Sequence, residues 1–178
     1  MTLDISGFKN KLKGGGARSN LFEASISSFP VAGVWNDVLF NFLCKATALP
    51  ASNVSAIDVP FRGRILKVAG DRTFDPWTVT VINDTGFELR KAFEEWMQLG
   101  NELTNNGGSV DPSTYMKDAT VTQLGRKSGS TDGVILATYT FYNIFPTNVS
   151  AIDLSYDSTD SIEEFTVEFQ VQYVERTV

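Results

Sequence analysis

Any chemistry in this chain would have to come from carboxylates, hydroxyls and a single thiol, because none of the 178 residues is histidine. That absence removes Ser-His-Asp triads, histidine acid–base work and histidine metal sites together. Cys44 lies in the apolar run FNFLCKATAL. A thiol with no base nearby reads as a small buried hydrophobe, and one cysteine forms no intramolecular disulfide, which fits a reducing compartment. Asp160, Glu163 and Glu164 are the closest carboxylate group with a glycosidase-like reading, but a strand start explains them better. Trp35, Trp77 and Trp96 could stack on sugar in a β-sandwich binding module. Of these, Trp77 alternates with strand core residues and Trp96 falls on a helical stripe, which leaves only Trp35 loosely placed. No phosphate-cradling loop, dinucleotide fingerprint or EF-hand pattern occurs, so no enzyme activity, metal or cofactor is expected.

The hexapeptide NVSAID occurs twice, at residues 53–58 and 148–153. Neither Asp58 nor Asp153 has a local second ligand or acid–base partner. Both copies, and Asn83-Asp84-Thr85, match a glycosylation acceptor. The N-terminal MTLDISGFKNKLKGGG has no apolar signal region, so these are read as chance matches. Each copy follows a proline, Pro50 or Pro146, and runs into alternating residues. The expectation is one loop-to-strand transition used at two places in a β-fold.

The elements that must position these groups are mostly strands. Period-two alternation predicts strands at 21–29, 38–46, 53–61, 64–70, 77–84, 119–125, 134–145 and 165–173, with RKSGSTDG (126–133) as a hairpin loop. In the last strand Phe165, Val167, Phe169, Val171 and Tyr173 share an inner face, and Thr166, Glu168, Gln170 and Gln172 a wet one. A helix is predicted at about 85–99, started by a Thr85/Glu88 capping box and stopped at Gly100, with Leu89, Phe93, Trp96 and Met97 as its apolar stripe. A short basic helix is expected in the first 13 residues, ended by Gly14-Gly15-Gly16, and loop from 101 to 116. The fold class is therefore mainly β: an antiparallel β-sandwich or barrel with one flanking α-helix. A single domain spans 1–178, with an N-terminal arm at 1–16 and the β-barrel at 17–178. No apolar run reaches bilayer length, so no membrane anchor is expected. The net charge of −6 disfavours gripping of phosphate, but not a surface that nucleic acid slides past.

The run FLCKATALPASNVSAIDVPFRGRILKVAGDRTFDPWTVTVINDTGFELRKAFEEW resembles the tail tube protein family of contractile-tailed bacteriophages. The closing FYNIFPTNVSAIDLSYDSTDSIEEFTVEFQVQY and the early ARSNLFEASI are similar to the same family, so the likeness covers most of residues 17–174. The resemblance implies hexameric rings stacked head to tail into a tube, with the tail sheath outside and the tape-measure protein inside. A baseplate hub and a tail terminator would close the ends, and DNA would transit without specific binding. It implies a virion-tail location after assembly in the host cytoplasm. A phage-derived bacteriocin or injection-system tube is the alternative. On this reading Glu164, Thr166, Glu168, Gln170 and Gln172 are expected to face the lumen. Arg62, Arg64, Asp71, Arg72 and Asp75 are expected to carry contacts between subunits or rings.

Overall fold

The computed structural model describes residues 4–12, 16–126 and 134–177. In chain order the elements are α1 (Ile5–Lys11), β1 (Phe22–Ser27), α2 (Asp37–Leu43), β2 (Cys44–Thr47), β3 (Ser52–Phe61), β4 (Arg64–Phe74), β5 (Trp77–Ile82), α3 (Glu88–Gly100), α4 (Pro112–Tyr115), β6 (Lys117–Leu124), β7 (Ile135–Val149), β8 (Glu164–Gln170) and β9 (Tyr173–Arg176). The main sheet is antiparallel in the order β1-β6-β7-β8-β5-β2, with β9 also paired to β7. β7 bends at Asn143, which takes a left-handed conformation (φ 54). Its first half pairs with β6 and β9 and its last residues pair with β8, so one strand joins two layers.

Alternation fills the space between those layers. Trp77, Val79 and Val81 of β5 sit opposite Phe169, Val167 and Phe165 of β8, and all six are buried. Trp77 stacks on Phe141 of β7 with ring centroids 4.9 Å apart, and its Nε1 donates to Thr47 Oγ1 at 2.8 Å. The predicted stripe packs α3 onto the same face. Leu89, Ala92, Phe93 and Trp96 are buried, and Phe93 lies 5.8 Å from Phe169. Trp96 donates through Nε1 to the Tyr115 carbonyl at 2.6 Å, tying α3 to α4. Thus α4 occupies part of the 101–116 stretch expected to be loop.

Several local expectations are corrected. The 38–46 segment is helix followed by a short strand. Asn36 accepts from Leu39 N at 3.1 Å, and the Asp37 carboxylate accepts from Ile26 N at 3.0 Å and Ser25 Oγ at 2.9 Å, so two side chains nucleate α2 against β1. α3 begins at Glu88 rather than 85, after Phe87 in a left-handed conformation (φ 54). Its N-cap position, Phe87, makes no side-chain bond; Asp84 instead accepts from Gly86 N at 3.0 Å and Glu88 N at 3.2 Å, in place of a Thr85 capping box. The final strand breaks at Val171-Gln172 to become β8 and β9. Tyr173 therefore leaves the core and stacks on Tyr142 at 4.5 Å. α1 covers Ile5–Lys11, and none of its residues is buried. Gly14, Gly15 and most of the 126–133 loop lie outside the described residues.

The two NVSAID copies adopt different structures. The first lies inside β3, with a bulge between Val54 and Ala56. The second ends β7 at Val149 and continues as irregular chain. Pro146 makes no turn; it sits within β7 opposite Phe169, beside a register shift. Six identical residues take their conformation from what pairs with them. The expected shared transition is absent.

Candidate functional site

The residues with catalytic potential are occupied structurally. Cys44 is buried, and desolvation pushes its thiol up to about 12, so it stays protonated and unreactive. Glu163 accepts from Asn83 Nδ2 at 3.0 Å, while Glu164 accepts from Lys45 Nζ at 2.6 Å. The buried Asn83 cannot serve as an exposed glycan acceptor. Trp35, expected to be loosely placed, stacks on Phe29 at 4.3 Å and lies 5.0 Å from Phe40. With Trp35 half-buried and Trp77 and Trp96 buried, these three tryptophans form no sugar platform. Among the described residues no group of three or more histidines, cysteines and carboxylates could hold a metal.

What stands out instead is the β3–β4 hairpin. Its two strands, of 10 and 11 residues, pair only with each other among the described residues. At the usual strand rise β3 extends about 33 Å. The turn is Arg62-Gly63, both at positive φ (46 and 81), as a two-residue hairpin turn that follows strand twist demands. At its base Asn53 Nδ2 donates to Asp75 Oδ1 at 2.9 Å and Asp75 N to the Ala51 carbonyl at 3.0 Å. Register places Ile57 opposite Val68 and Val59 opposite Leu66, with Phe61 next along the same face. All are exposed, Phe61 by 67% and Leu66 by 63%. On the other face Asp58 accepts from Lys67 Nζ at 2.7 Å. Fully burying one such large apolar side chain contributes about 1.5–3 kcal/mol, so a stripe this size left in water is costly. A lone two-stranded hairpin is marginal in water, and this one has the form of an unfinished interface.

The structure brings the five residues expected at subunit contacts onto this one element. Arg62 forms the turn, with its guanidinium 5.4 Å from the Phe61 ring. Arg64, Asp71 and Arg72 lie on β4, and Asp75 lies at the base. The segments around PASNVSAIDVPFRGR and GDRTFDP pair along most of their length as β3 and β4.

Glu164, Thr166, Glu168 and Gln170 follow one another along the polar face of β8. There Thr166 is opposite Thr80 and Glu168 opposite Thr78. α3 packs on the apolar side of this sheet and leaves that face uncovered. Gln172 is exposed but belongs to the bend between β8 and β9. Lys45, from neighbouring β2, is the partner that sequence reasoning missed. Its pairing with Glu164 spans 119 positions and has no local signal.

The chain is thus an antiparallel β protein whose main sheet ends in β1 and β2 and whose longest hairpin exposes an apolar stripe. The chain belongs to the phage tail tube protein family, whose pattern matches residues 17–175. It is 40% identical over 163 residues to tail tube protein gp19 of Enterobacteria phage T4, covering 89% of this chain and 91% of that protein. The corresponding protein of Enterobacteria phage T6 is 39% identical over 163 residues, with the same coverage. The fold is shared with a chain of the sheath–tube complex of an extracellular contractile injection system in its extended state. That match has a TM-score of 0.64 at 14% identity and covers 99% of both chains.

Proposed function

We propose that six copies of this tail tube subunit close into a ring and that rings stack head to tail into a hollow tube. The sheath encloses the tube, and baseplate hub and terminator proteins close its ends. The bore holds the tape-measure protein before it conducts DNA. Assembly takes place in the host cytoplasm and the product resides in the virion tail. The subunit catalyses nothing and needs no cofactor; its work is done by contact with copies of itself.

The observation that carries this reading is the β3–β4 hairpin, whose apolar stripe is exposed in the isolated chain. Family membership supplies the kind of assembly that would cover it. β1 and β2 end the sheet order, and pairing their open edges around a ring removes a hazard that isolated subunits carry. The β8 face supports a lumen assignment. Its hydroxyls and amides offer passing phosphates no cation, and Glu168 repeats around a ring as a repelling charge. Lys45 is held by Glu164.

Cysteine labelling tests the arrangement. In a Cys44→Ser background, Glu168→Cys in assembled tubes is expected to react with a small maleimide but not with a maleimide carried on a large bead. Gln98→Cys on the outer side of α3 should react with both before sheath is added. Labelling of residue 168 by the bead overturns the lumen assignment. Independently, Arg62→Glu or Arg64→Glu is expected to leave a folded monomer that polymerises poorly, and unimpaired tubes count against the hairpin contacts. The fold likeness to an injection-system tube favours one second reading, a phage-derived particle with another cargo. Head and terminase genes beside this one decide for a complete phage.

A further inference from the structure

The apolar hairpin has a counterpart elsewhere in the same chain. Between β7 and β8 the segment 150–163 runs without regular structure, and its large apolar side chains face solvent: Leu154 is 79% exposed, Ile162 73%, and Tyr156 wholly. It folds around a mostly polar cup of about 330 Å³, lined by Asp153, Ser155, Ser158 and Glu163 with Ile152 and Ile162 among them. Asp153, Asp157 and Asp160 line the same stretch, which holds no cation. None of the three has an ion-pair partner among the described residues. The hairpin tip presents the opposite arrangement. Arg62 and Arg64 flank Gly63, also without ion-pair partners among the described residues, next to the exposed Phe61, Ile65 and Leu66.

We propose that the 150–163 segment is the receptor for the hairpin tip of another copy. Phe61 packs on the exposed Leu154 and Ile162 of a subunit in the adjacent ring, and Arg62 and Arg64 engage Asp153, Asp157 and Asp160. This rests on the ring-stacking reading of the hairpin and adds its acceptor. Two different surfaces of one chain, each with exposed apolar side chains and of opposite charge, make a heterologous contact. Such a contact propagates along an axis instead of closing on itself, which a stack requires. Opposed charge also sets polarity, since tip against tip or loop against loop sets like charges together.

Charge swapping tests the pairing. Arg62→Glu/Arg64→Glu and Asp153→Lys/Asp157→Lys/Asp160→Lys are each expected to cut sedimentable tubes at least tenfold, with native far-UV circular dichroism. Mixing the two variants restores tubes, because each supplies what the other lacks; so does combining all five changes in one chain. Normal tubes from the arginine variant overturn the stacking role of the hairpin itself. Loss with the arginine variant but normal tubes from the aspartate variant leaves stacking intact and overturns the acceptor. So does loss in both with no recovery on mixing or combination. Should a reversal unfold the chain, Arg62→Gln/Arg64→Gln and Asp153→Asn/Asp157→Asn/Asp160→Asn replace it. Each is expected to weaken assembly and to raise the protein concentration needed for tubes, and an unchanged threshold overturns the pairing.

Discussion

At the scale of single residues, side chains that look chemical in the sequence turn out to be held by neighbours. Cys44 carries a testable consequence. Its pKa is raised by burial from 9.0 to about 12. Between those values the folded state keeps a proton that the unfolded state gives up, so stability contributed by the neutral thiol is present below pH 9 and falls as pH rises towards 12. Wild type should lose stability relative to Cys44→Ala between pH 9 and 11, measured as the difference in urea midpoints. At pH 8 a thiol reagent should label Cys44 only after denaturation. Trp77 tests the core in the same way. It is fully buried, stacked on Phe141 and hydrogen-bonded to Thr47, so Trp77→Ala should cost about 3–5 kcal/mol in urea unfolding. Both Cys44 and Trp77 were legible as buried from their apolar and alternating surroundings. The packing of the half-buried Trp35 was not legible, because its aromatic partners Phe40 and Phe93 come from two other elements.

At the scale of elements, the errors fall where a local pattern admitted two solutions. VLFNFLCKA reads as a strand by apolar content, yet Asn36 and Asp37 supply hydrogen bonds that start a helix against β1. Asp37→Ala removes an acceptor shared by Ile26 N and Ser25 Oγ and should destabilise by about 1.5–3 kcal/mol. The α3 cap separates two sequence readings directly. If Asp84 holds the first turn, Asp84→Ala costs about 1 kcal/mol while Thr85→Ala is near neutral; the reverse order would restore the capping box. α3 itself and strands β5 and β8 were readable, because their periodicities of 3.6 and 2 each extend over enough residues to exclude the other. The long hairpin was readable as two strands but not as a sheet of its own, since among the described residues that depends on which other strands it fails to pair with.

For the whole molecule, the hairpin stripe and the 150–163 segment keep large apolar side chains exposed, and β1 and β2 end the main sheet without a further strand among the described residues. Assembly that depends on arginine–aspartate pairs at exposed tips should weaken with ionic strength. Stacked tubes are expected to shorten, or to need more protein to form, between about 0.1 and 1 M salt, as seen by negative-stain length distributions. Salt that lengthens tubes would point to a stack held by apolar contact alone. The composition alone established an acidic, histidine-free chain with alternating strands and one amphipathic helix, and the family likeness rested on contiguous residues. Those properties are local, so a reader of the sequence can reach them. Only the tertiary structure decided that one NVSAID copy would be strand and the other irregular chain, that Glu164 would hold Lys45, and that the hairpin would stand clear of the core. Each of these depends on which distant segments meet, and pairing across tens of residues is set by packing the whole chain at once.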